Sequence, residues 1–114
     1  MTWGGVELEP ELRGWLESLS TTAFATAAFH IDLLARRGVL LSGPHTRQLC
    51  GALRERRFHL DGQPIRATYW IAPQRRIVLL TVFKKTQQRE AREVGRAWAA
   101  MARCIERRHT VEEG

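Results

Sequence analysis

The spacing of apolar residues changes twice along this chain, and these changes limit the folds it can adopt. Up to about residue 38, apolar residues recur every three or four positions. Between Leu53 and Phe83 they recur at every second position or in continuous runs, and after Arg89 the wider spacing returns. A period of about 3.6 is typical of amphipathic helices and a period of 2 of strands. The sequence therefore predicts helices on either side of a sheet-forming segment.

Two helices are predicted in the N-terminal part. The first spans residues 10–19, with Pro10 in its first turn and leucines and a tryptophan at helical spacing. The second runs from about residue 21 to 37 and ends at Gly38, a residue that commonly terminates helices. The two are expected to form a helical hairpin. Residues 3–8 are a candidate for a short leading strand.

Three successive strands are predicted in the middle of the chain. They span residues 53–60, 65–71 and 77–83, with turns at Asp61-Gly62 and at residues 72–75. The third strand is almost entirely apolar, so it is expected to be central and covered on both faces. The preceding segment, residues 39–51, is predicted to be a loop because Ser42-Gly43-Pro44 interrupts regular structure.

A long helix is predicted over residues 89–108. Its apolar stripe is expected to pack on the core and consists of Ala91, Val94, Trp98, Met101 and Ile105. The predicted fold class is α+β. A small antiparallel sheet of three to four strands packs against an N-terminal helical hairpin and a C-terminal helix, all on one side of the sheet. With 114 residues, the chain is predicted to be one domain, residues 1–114.

Several classes of protein are disfavoured by the composition. There is no apolar run long enough to span a membrane, and the N-terminus, with Glu7 and Glu9, does not resemble a secretory signal, so a cytoplasmic location is expected. Cys50 and Cys104 are too few for a disulfide framework. The four histidines are scattered and no metal-ligand pair is present, so neither a metal nor another cofactor is expected.

Charge is distributed unevenly along the chain. The net charge is +6, yet residues 1–33 hold five acids and one base, whereas residues 34–114 hold seventeen bases and seven acids. Such a basic segment is typical of proteins that bind polyanions, although a solvated arginine-rich surface is the alternative. Sixteen of the eighteen bases are arginine, and the only two lysines are the adjacent pair Lys84-Lys85. Lysine can transfer a proton and arginine cannot, so the pair suggests a chemical role.

Alternation along the strands predicts a polar open face. If Phe58 and Leu60 pack against the helices, Glu55, Arg57 and His59 face the other way. The hairpin then brings Arg57 or His59 near Arg66, and the lysine pair emerges beside them. The predicted catalytic residues are Arg57, Arg66, Lys84, Lys85 and His59. Those predicted to bind RNA are Glu55, Tyr69, Trp70, Arg75 and Arg76, with Trp70 or Tyr69 as a stacking platform.

Such a set of residues suits a phosphodiester substrate. Arginine forks bind phosphate oxygens, and fixed cations stabilise the charge of a pentacoordinate phosphorus. RNA carries its own nucleophile, the 2′-hydroxyl, so cleavage without a metal and without an activated serine or cysteine is the predicted mechanism. Lys84 or Lys85 is one candidate proton carrier, and His59 is the other. The alternative is structural: Glu55 and Arg57 simply pair with charges on neighbouring strands.

Three segments resemble a known family. They read LRERRF at 53–58, RATY at 66–69 and IVLLTVFKKT at 77–86. Their order and spacing resemble HigB-like and phage-derived members of the RelE/ParE toxin superfamily. The matching positions are Glu55, Arg57, Arg66, Phe83, Lys84 and Lys85.

The resemblance implies the toxin of a type II toxin–antitoxin system, a ribosome-dependent mRNA endonuclease. Its expected partners are a cognate antitoxin protein, the ribosome and mRNA, with no membrane and no small-molecule cofactor. The chain departs from the family pattern at Arg56, where family members usually have an aliphatic residue. Many ribonuclease members of the family also carry a histidine or tyrosine near the C-terminus as an acid or base. Here Thr86-Gln87-Gln88 follow the lysines, and the only late histidine is His109. Two alternatives remain: a ParE-like toxin that binds gyrase without catalysis, and an RNA-binding module that does not cleave.

Overall fold

The computed structural model describes residues 3–38, 46–86 and 90–113, and the side chains among them up to Arg107. This part of the chain forms five strands and three helices. In chain order they are β1 (Gly5–Leu8), α1 (Pro10–Glu17), α2 (Thr21–Arg37), β2 (Thr46–Cys50), β3 (Leu53–Leu60), β4 (Gln63–Ala72), β5 (Arg76–Lys84) and α3 (Glu90–Glu113). The α+β class is therefore confirmed. The predicted first residue of the last helix, Arg89, lies outside the described residues.

The strands form one sheet in the order β1-β5-β4-β3-β2. The strands from β2 to β5 are antiparallel to their neighbours, as expected for consecutive hairpins. β1, however, runs parallel to β5, with Val6 opposite Ile77. The prediction of a purely antiparallel sheet with three to four strands was therefore wrong. The chain between β1 and β5 contains α1, α2 and the strands β2 to β4, so it is long enough to allow parallel pairing.

The strand β2 corrects the prediction of a loop over residues 39–51. Thr46–Cys50 pairs antiparallel with β3, and Arg47 lies opposite Glu55. This short polar segment has no period-2 apolar pattern, so its own sequence did not mark it as a strand. It forms one because it satisfies the backbone groups along the free edge of β3. The rest of the predicted loop, residues 39–45, lies outside the described residues.

Helices cover both faces of the sheet, contrary to the prediction that all lie on one side. One core cluster lies between the sheet and the helices α1 and α2, where Leu12, Ala27 and Leu34 meet Ile77 and Leu79. A second cluster lies on the opposite face, under α3. An apolar core can form on each face of the sheet because β5 is apolar at nearly every position. β5 is thus covered on both sides as predicted, but the central strand is β4.

The helix α3 contacts the sheet through a stripe that only partly matches the predicted one, because Met101 and Val94 pack as predicted and Trp98 and Ile105 do not. Ala97, Ala100, Met101 and Cys104 are buried in the second cluster. By contrast, Trp98 and Ile105 are 44% and 42% exposed. Small side chains let the helix approach the sheet closely, which outweighs the larger apolar area that the tryptophan face would bury. No helix in the described part of the chain is long and apolar enough to cross a membrane.

The predicted helix and turn signals are confirmed. The Ser20 side chain accepts a hydrogen bond from the backbone N–H of Ala23 at 3.2 Å and caps α2. Gly38 ends this helix with φ +50°, and a Cβ there would overlap the ring of Trp3. The turn between β3 and β4 places both Asp61 and Gly62 at positive φ, as a two-residue hairpin requires.

Candidate nucleic-acid interface

A fully buried carboxylate lies at the centre of the candidate site. Glu55, in the middle of β3, is 0% exposed. Its Oε2 atom lies 3.2 Å from Nε of Arg57, 3.4 Å from Nε of Arg47 and 3.8 Å from Nε of Arg66. Three guanidinium groups from three adjacent strands therefore surround one negative charge. This cluster of Arg47, Glu55, Arg57 and Arg66 is called the arginine cluster below.

Strand register brings the arginine cluster together. Arg47 on β2 is the direct neighbour of Glu55, and Arg66 on β4 is the direct neighbour of Arg57. Alternation then points all four side chains to the same face of the sheet. On β4, Thr68 lies opposite Glu55. Its Oγ1 atom is 2.6 Å from that of Thr81, so a hydrogen-bonded threonine pair lies beside the carboxylate.

Exposure increases outwards from the carboxylate. The side chain of Arg66 is 9% exposed, that of Arg57 28% and that of Arg47 45%. Burial lowers the pKa of Arg66, and the charge of Glu55 opposes that shift. The arginine cluster therefore offers a ligand a graded set of cations, with Arg57 and Arg47 the most accessible.

The two lysines lie on different faces of the sheet. Lys84 is opposite Ile65, whose side chain belongs to the core under α1 and α2. The backbone N–H of Lys85 donates to the carbonyl of Pro64 at 2.9 Å and so extends the ladder by one residue. Alternation places Lys85 on the face of Arg66 and turns Lys84 to the other face, where it is exposed. Only one of the two predicted catalytic lysines thus shares the face of the arginine cluster.

His59 lies at the outer end of the same face. It is exposed and pairs with Pro64, next to the turn between β3 and β4. The arginine at the next position along this face, Arg57, separates it from Glu55. The structure therefore places His59 beside the arginine cluster, as predicted, but not within it. The other suggested proton carrier, the side chain of His109, lies outside the described residues, as do Gln87 and Gln88.

Two residues predicted to bind RNA have no exposed surface for it. Glu55 does point to the predicted face, but it is buried beneath the arginines. Tyr69 is 2% exposed and belongs to the core cluster under α1 and α2. Its hydroxyl accepts a hydrogen bond from Nε of Arg54 at 3.4 Å. Both positions correct the expectation of direct contact between these side chains and RNA.

The remaining RNA-binding candidates are spread over the sheet. Trp70 is half-buried on the face of Arg66 and packs against the cluster under α3. Arg75 and Arg76 lie in and after the turn between β4 and β5, at the opposite end of β5 from Lys84. Arg76 forms an ion pair with Glu7 of β1, and the guanidinium of Arg75 lies 5.4 Å from the ring centroid of Trp3. These two arginines are therefore separate from the arginine cluster.

Two members of the site were not found from the sequence. Arg47 fell in a segment predicted as a loop, and Glu90 begins α3. Nη2 of Arg47 donates to Oε1 of Glu90 at 2.9 Å, so Arg47 bridges two carboxylates. A basic residue on an unrecognised edge strand gives no signal by itself. Only the pairing of β2 with β3 brings it to Glu55.

Arg56 occupies a buried position on the other face. It is 2% exposed, and its Nη2 lies 2.7 Å from Nδ1 of His30, whose ring stacks on Phe58 at a centroid distance of 4.6 Å. Its Nε and Nη1 atoms have no hydrogen-bond partner among the described residues. Burial lowers the pKa of Arg56. A charge thus replaces a core contact here, as the departure from the family pattern predicted.

One cavity has no member of the arginine cluster in its lining, although Thr81, which lines it, is hydrogen-bonded to Thr68 beside Glu55. It measures about 760 Å³ and lies between the start of α1, β5 and α3. Arg96 of α3 forms an ion pair with Glu11 at its rim, and this hydrogen bond raises the pKa of Arg96. A second pair joins Arg107 to Glu9. These ion pairs join α3 to α1 and to Glu9, the residue that precedes α1.

The fold and the sequence can now be compared with known proteins. Among solved structures, the fold is similar to that of a double arginine-to-alanine mutant of the E. coli toxin RelE in the free state. The TM-score is 0.59 at 11% sequence identity, covering 92% of this chain and 99% of that chain. The chain therefore has a fold similar to that of RelE, the fold that the resemblance had predicted.

The sequence itself identifies the family. The family model "Phage derived protein Gp49-like (DUF891)" matches residues 14–101, which is most of the chain. The chain belongs to this Gp49-like family. No curated protein matches it in sequence. The match includes α2, the strands β2 to β5 and half of each of α1 and α3, and therefore the whole of the arginine cluster.

Proposed function

We propose that this chain is the toxin of a type II toxin–antitoxin pair and that it cleaves mRNA on the ribosome. The observation that carries the proposal is the arginine cluster, in which three guanidinium groups converge on a face that α3 covers only in part. The named toxin with a similar fold and the Gp49-like family support it. The proposed partners are a cognate antitoxin, the ribosome and mRNA.

The proposed reaction uses the 2′-hydroxyl of the RNA as nucleophile. Arg57 through its two Nη groups, and Arg66 through Nη2, would hold the scissile phosphate and stabilise the charge that develops on it. Nη1 of Arg66 donates to the carbonyl of Ile65. Lys85, on the same face, is the proposed carrier of one proton. His59 is the proposed carrier of the other, because it is exposed two residues along the strand from Arg57. The products would be a 2′,3′-cyclic phosphate and a free 5′-hydroxyl.

Induced expression followed by transcriptome-wide mapping of mRNA ends tests this proposal. The expected result is growth arrest together with new 5′ ends inside translated reading frames. Purified protein should produce the same ends on mRNA bound to ribosomes and few on free mRNA. Growth arrest without new mRNA ends would reject the nuclease, and normal growth at high expression would reject the toxin.

A second function, RNA binding without cleavage, is favoured by one observation. The groups nearest to Glu55 are arginines, which stay charged and so cannot act as proton carriers. Under this alternative the protein binds ribosomes or RNA and blocks translation with the message intact. The same end-mapping experiment separates the two, because translation would stop while mRNA ends stay unchanged.

A further inference from the structure

Glu55 lacks the hydrogen bonds that a buried carboxylate normally has. It is 0% exposed, and neither of its oxygens has a hydrogen-bond partner in the part of the chain that the structure describes. Nε of Arg57 and Nε of Arg66 are likewise buried without a hydrogen bond. The separations of 3.2–3.8 Å are thus charge contacts rather than aligned hydrogen bonds. Burying such a carboxylate is costly, so structural stability alone does not explain it.

The carboxylate has an evident electrostatic effect on its neighbours. Arg57 and Arg66 are directly opposite each other on adjacent strands, an arrangement in which like charges repel. Arg47 approaches the same oxygen from β2. Without Glu55 the three guanidinium groups would be driven apart towards solvent. With it, their Nε sides face inwards, and Arg57 keeps its Nη groups free of hydrogen bonds within the described chain.

We infer that Glu55 is a positioning residue that orients Arg57 and Arg66 for the scissile phosphate and adds Arg47 as a third phosphate-binding arginine. This inference rests on the proposed function, because the ligand is the RNA phosphate of that reaction. Glu55 touches no substrate, since it is buried. It acts through the arginines, whose remaining Nη groups are left to bind phosphate oxygens. Arg57 offers both of its Nη groups. Arg66 and Arg47 each offer one, because Nη1 of Arg66 donates to the carbonyl of Ile65 and Nη2 of Arg47 donates to Glu90.

Neutralising Glu55 should change the cleavage rate in opposite directions under two possible roles of the site. Cleavage should become faster if the cations only attract RNA, and slower if Glu55 positions the arginines. Glu55→Gln removes one negative charge, so the site becomes more cationic and ground-state binding of RNA becomes tighter, with a steeper dependence on salt. The arginines, however, lose their fixed orientation, and stabilisation of the transition state falls. KM should therefore decrease while kcat decreases by about 10²-fold. A purely structural role would lower the folded fraction and leave KM unchanged.

The control is Glu17→Gln, which makes the same change of charge at an exposed position on α1. Binding is measured by fluorescence anisotropy with a 2′-O-methyl RNA oligonucleotide, which lacks the attacking hydroxyl. Cleavage is measured on mRNA bound to ribosomes. The expected result is tighter binding and slower cleavage for Glu55→Gln, with Glu17→Gln unchanged in cleavage. Equal cleavage rates for folded Glu55→Gln and the wild type would overturn the inference.

A second variant and a spectroscopic readout keep the inference testable if Glu55→Gln fails to fold. Glu55→Asp keeps the charge but moves it back by one methylene, and it should cleave at a rate between those of the wild type and Glu55→Gln. The Nε–H signals of Arg57 and Arg66 in wild-type NMR spectra should exchange slowly, unlike that of the exposed Arg13. Fast exchange at both arginines, or a fully active Glu55→Asp whose Nε–H signals match those of the wild type, would count against positioning.

The NMR and binding measurements do not depend on catalysis. If the wild type cleaves no RNA, the proposed nuclease fails, but ordered arginines and tighter binding of the oligonucleotide by Glu55→Gln would still support positioning of an anion site by Glu55. If the wild type cleaves and Glu55→Gln cleaves equally well, only the inference about Glu55 fails.

Discussion

Arg57 and Arg66 are direct cross-strand neighbours on β3 and β4, and both direct Nε towards the same buried oxygen of Glu55. Two like charges in this arrangement repel each other unless an anion lies between them. In the free protein Glu55 supplies part of that negative charge. A bound phosphate would supply the rest. We therefore expect this pair of arginines to be the part of the sheet that binds the phosphates of an RNA backbone.

Arg57→Ala is expected to abolish toxicity and leave the fold intact, because the side chain is partly exposed and is no part of either apolar core. Loss of one cation that stabilises the transition state typically lowers a rate by about 10²–10³-fold. Growth after induction at matched expression measures toxicity, and circular dichroism checks the fold. Arg13→Ala removes an exposed arginine on α1, which covers the other face of the sheet, and should remain toxic. Full toxicity of Arg57→Ala would show that the face is not the active one.

The adjacent lysines provide an internal comparison. Lys85→Ala should abolish toxicity because this side chain is assigned to the face of Arg66, whereas Lys84→Ala should reduce it much less. Both variants lose the same charge at nearly the same place in the chain, so differences in net charge cannot explain the result. The measurement is cleavage of mRNA on ribosomes at equal protein concentrations. Equal losses for the two variants would contradict the assignment of the lysines to opposite faces.

Arg56→Met is expected to stabilise the protein. The guanidinium is 2% exposed, has two nitrogens without hydrogen bonds among the described residues, and has its pKa lowered by burial. Replacing a poorly satisfied buried charge with an apolar side chain of similar size commonly raises the free energy of unfolding by about 1–4 kcal/mol. Urea denaturation followed by tryptophan fluorescence measures the change. Toxicity should be retained, and a decrease in stability would show that the contact with His30 outweighs the cost of burial.

Cleavage is expected to continue in EDTA to the extent that the ribosome stays intact. The reason is that the proposed reaction takes its nucleophile from RNA and its charge stabilisation from arginines. Mass spectrometry of the cut RNA should find a 2′,3′-cyclic phosphate or a 3′-phosphate, with a 5′-hydroxyl on the other fragment. A 5′-phosphate, or a requirement for a divalent ion beyond that of the ribosome, would reject this mechanism even if the protein is a toxin.

The product of the neighbouring gene is expected to co-purify with this protein. The segment 34–114 holds seventeen bases and seven acids, so an acidic or amphipathic segment laid over the basic face is the expected mode of contact. The complex should weaken as salt is raised, and co-expression should restore growth. A protein that is expressed freely without growth arrest and binds no adjacent gene product would contradict the toxin–antitoxin assignment.

The sequence predicted the parts of the fold that depend on local pattern. The two N-terminal helices and the hairpin at Asp61-Gly62 follow from apolar spacing and turn residues. The hairpin brings β3 close to Arg66, but the sequence left open whether Arg57 or His59 is its neighbour, and the structure shows that it is Arg57. The sequence could not predict the strand β2 or the parallel pairing of β1, because both depend on pairing with other segments of the chain. β2 is polar and short, and β1 joins β5 in parallel across most of the chain. Edge strands of this kind are specified by the partner they complete more than by their own residues.

In the candidate site, too, the sequence predicted what depends on local pattern and missed what depends on the pairing of distant strands. Alternation along β3 correctly placed Glu55 and Arg57 on one face, but alternation cannot tell a surface residue from one buried beneath its neighbours. The structure buries Glu55 because Arg47 covers it from β2, the strand that the sequence did not reveal. The same omission removed Arg47 from the predicted site. Recognising the edge strand would have corrected both errors.

The parallel pairing of β1 with β5 has a consequence for synthesis of the chain. Arg76 meets Glu7, which lies 69 positions earlier. The hairpins from β3 to β5 join neighbouring segments and form quickly, whereas β1 must wait for a distant partner. During translation, β1, α1 and α2 leave the ribosome before β5 exists, so Leu12 and Leu34 stay exposed until late. The nascent chain can therefore complete this core only after β5 has been synthesised, and a product that terminates before β5 lacks Ile77 and Leu79 of this core.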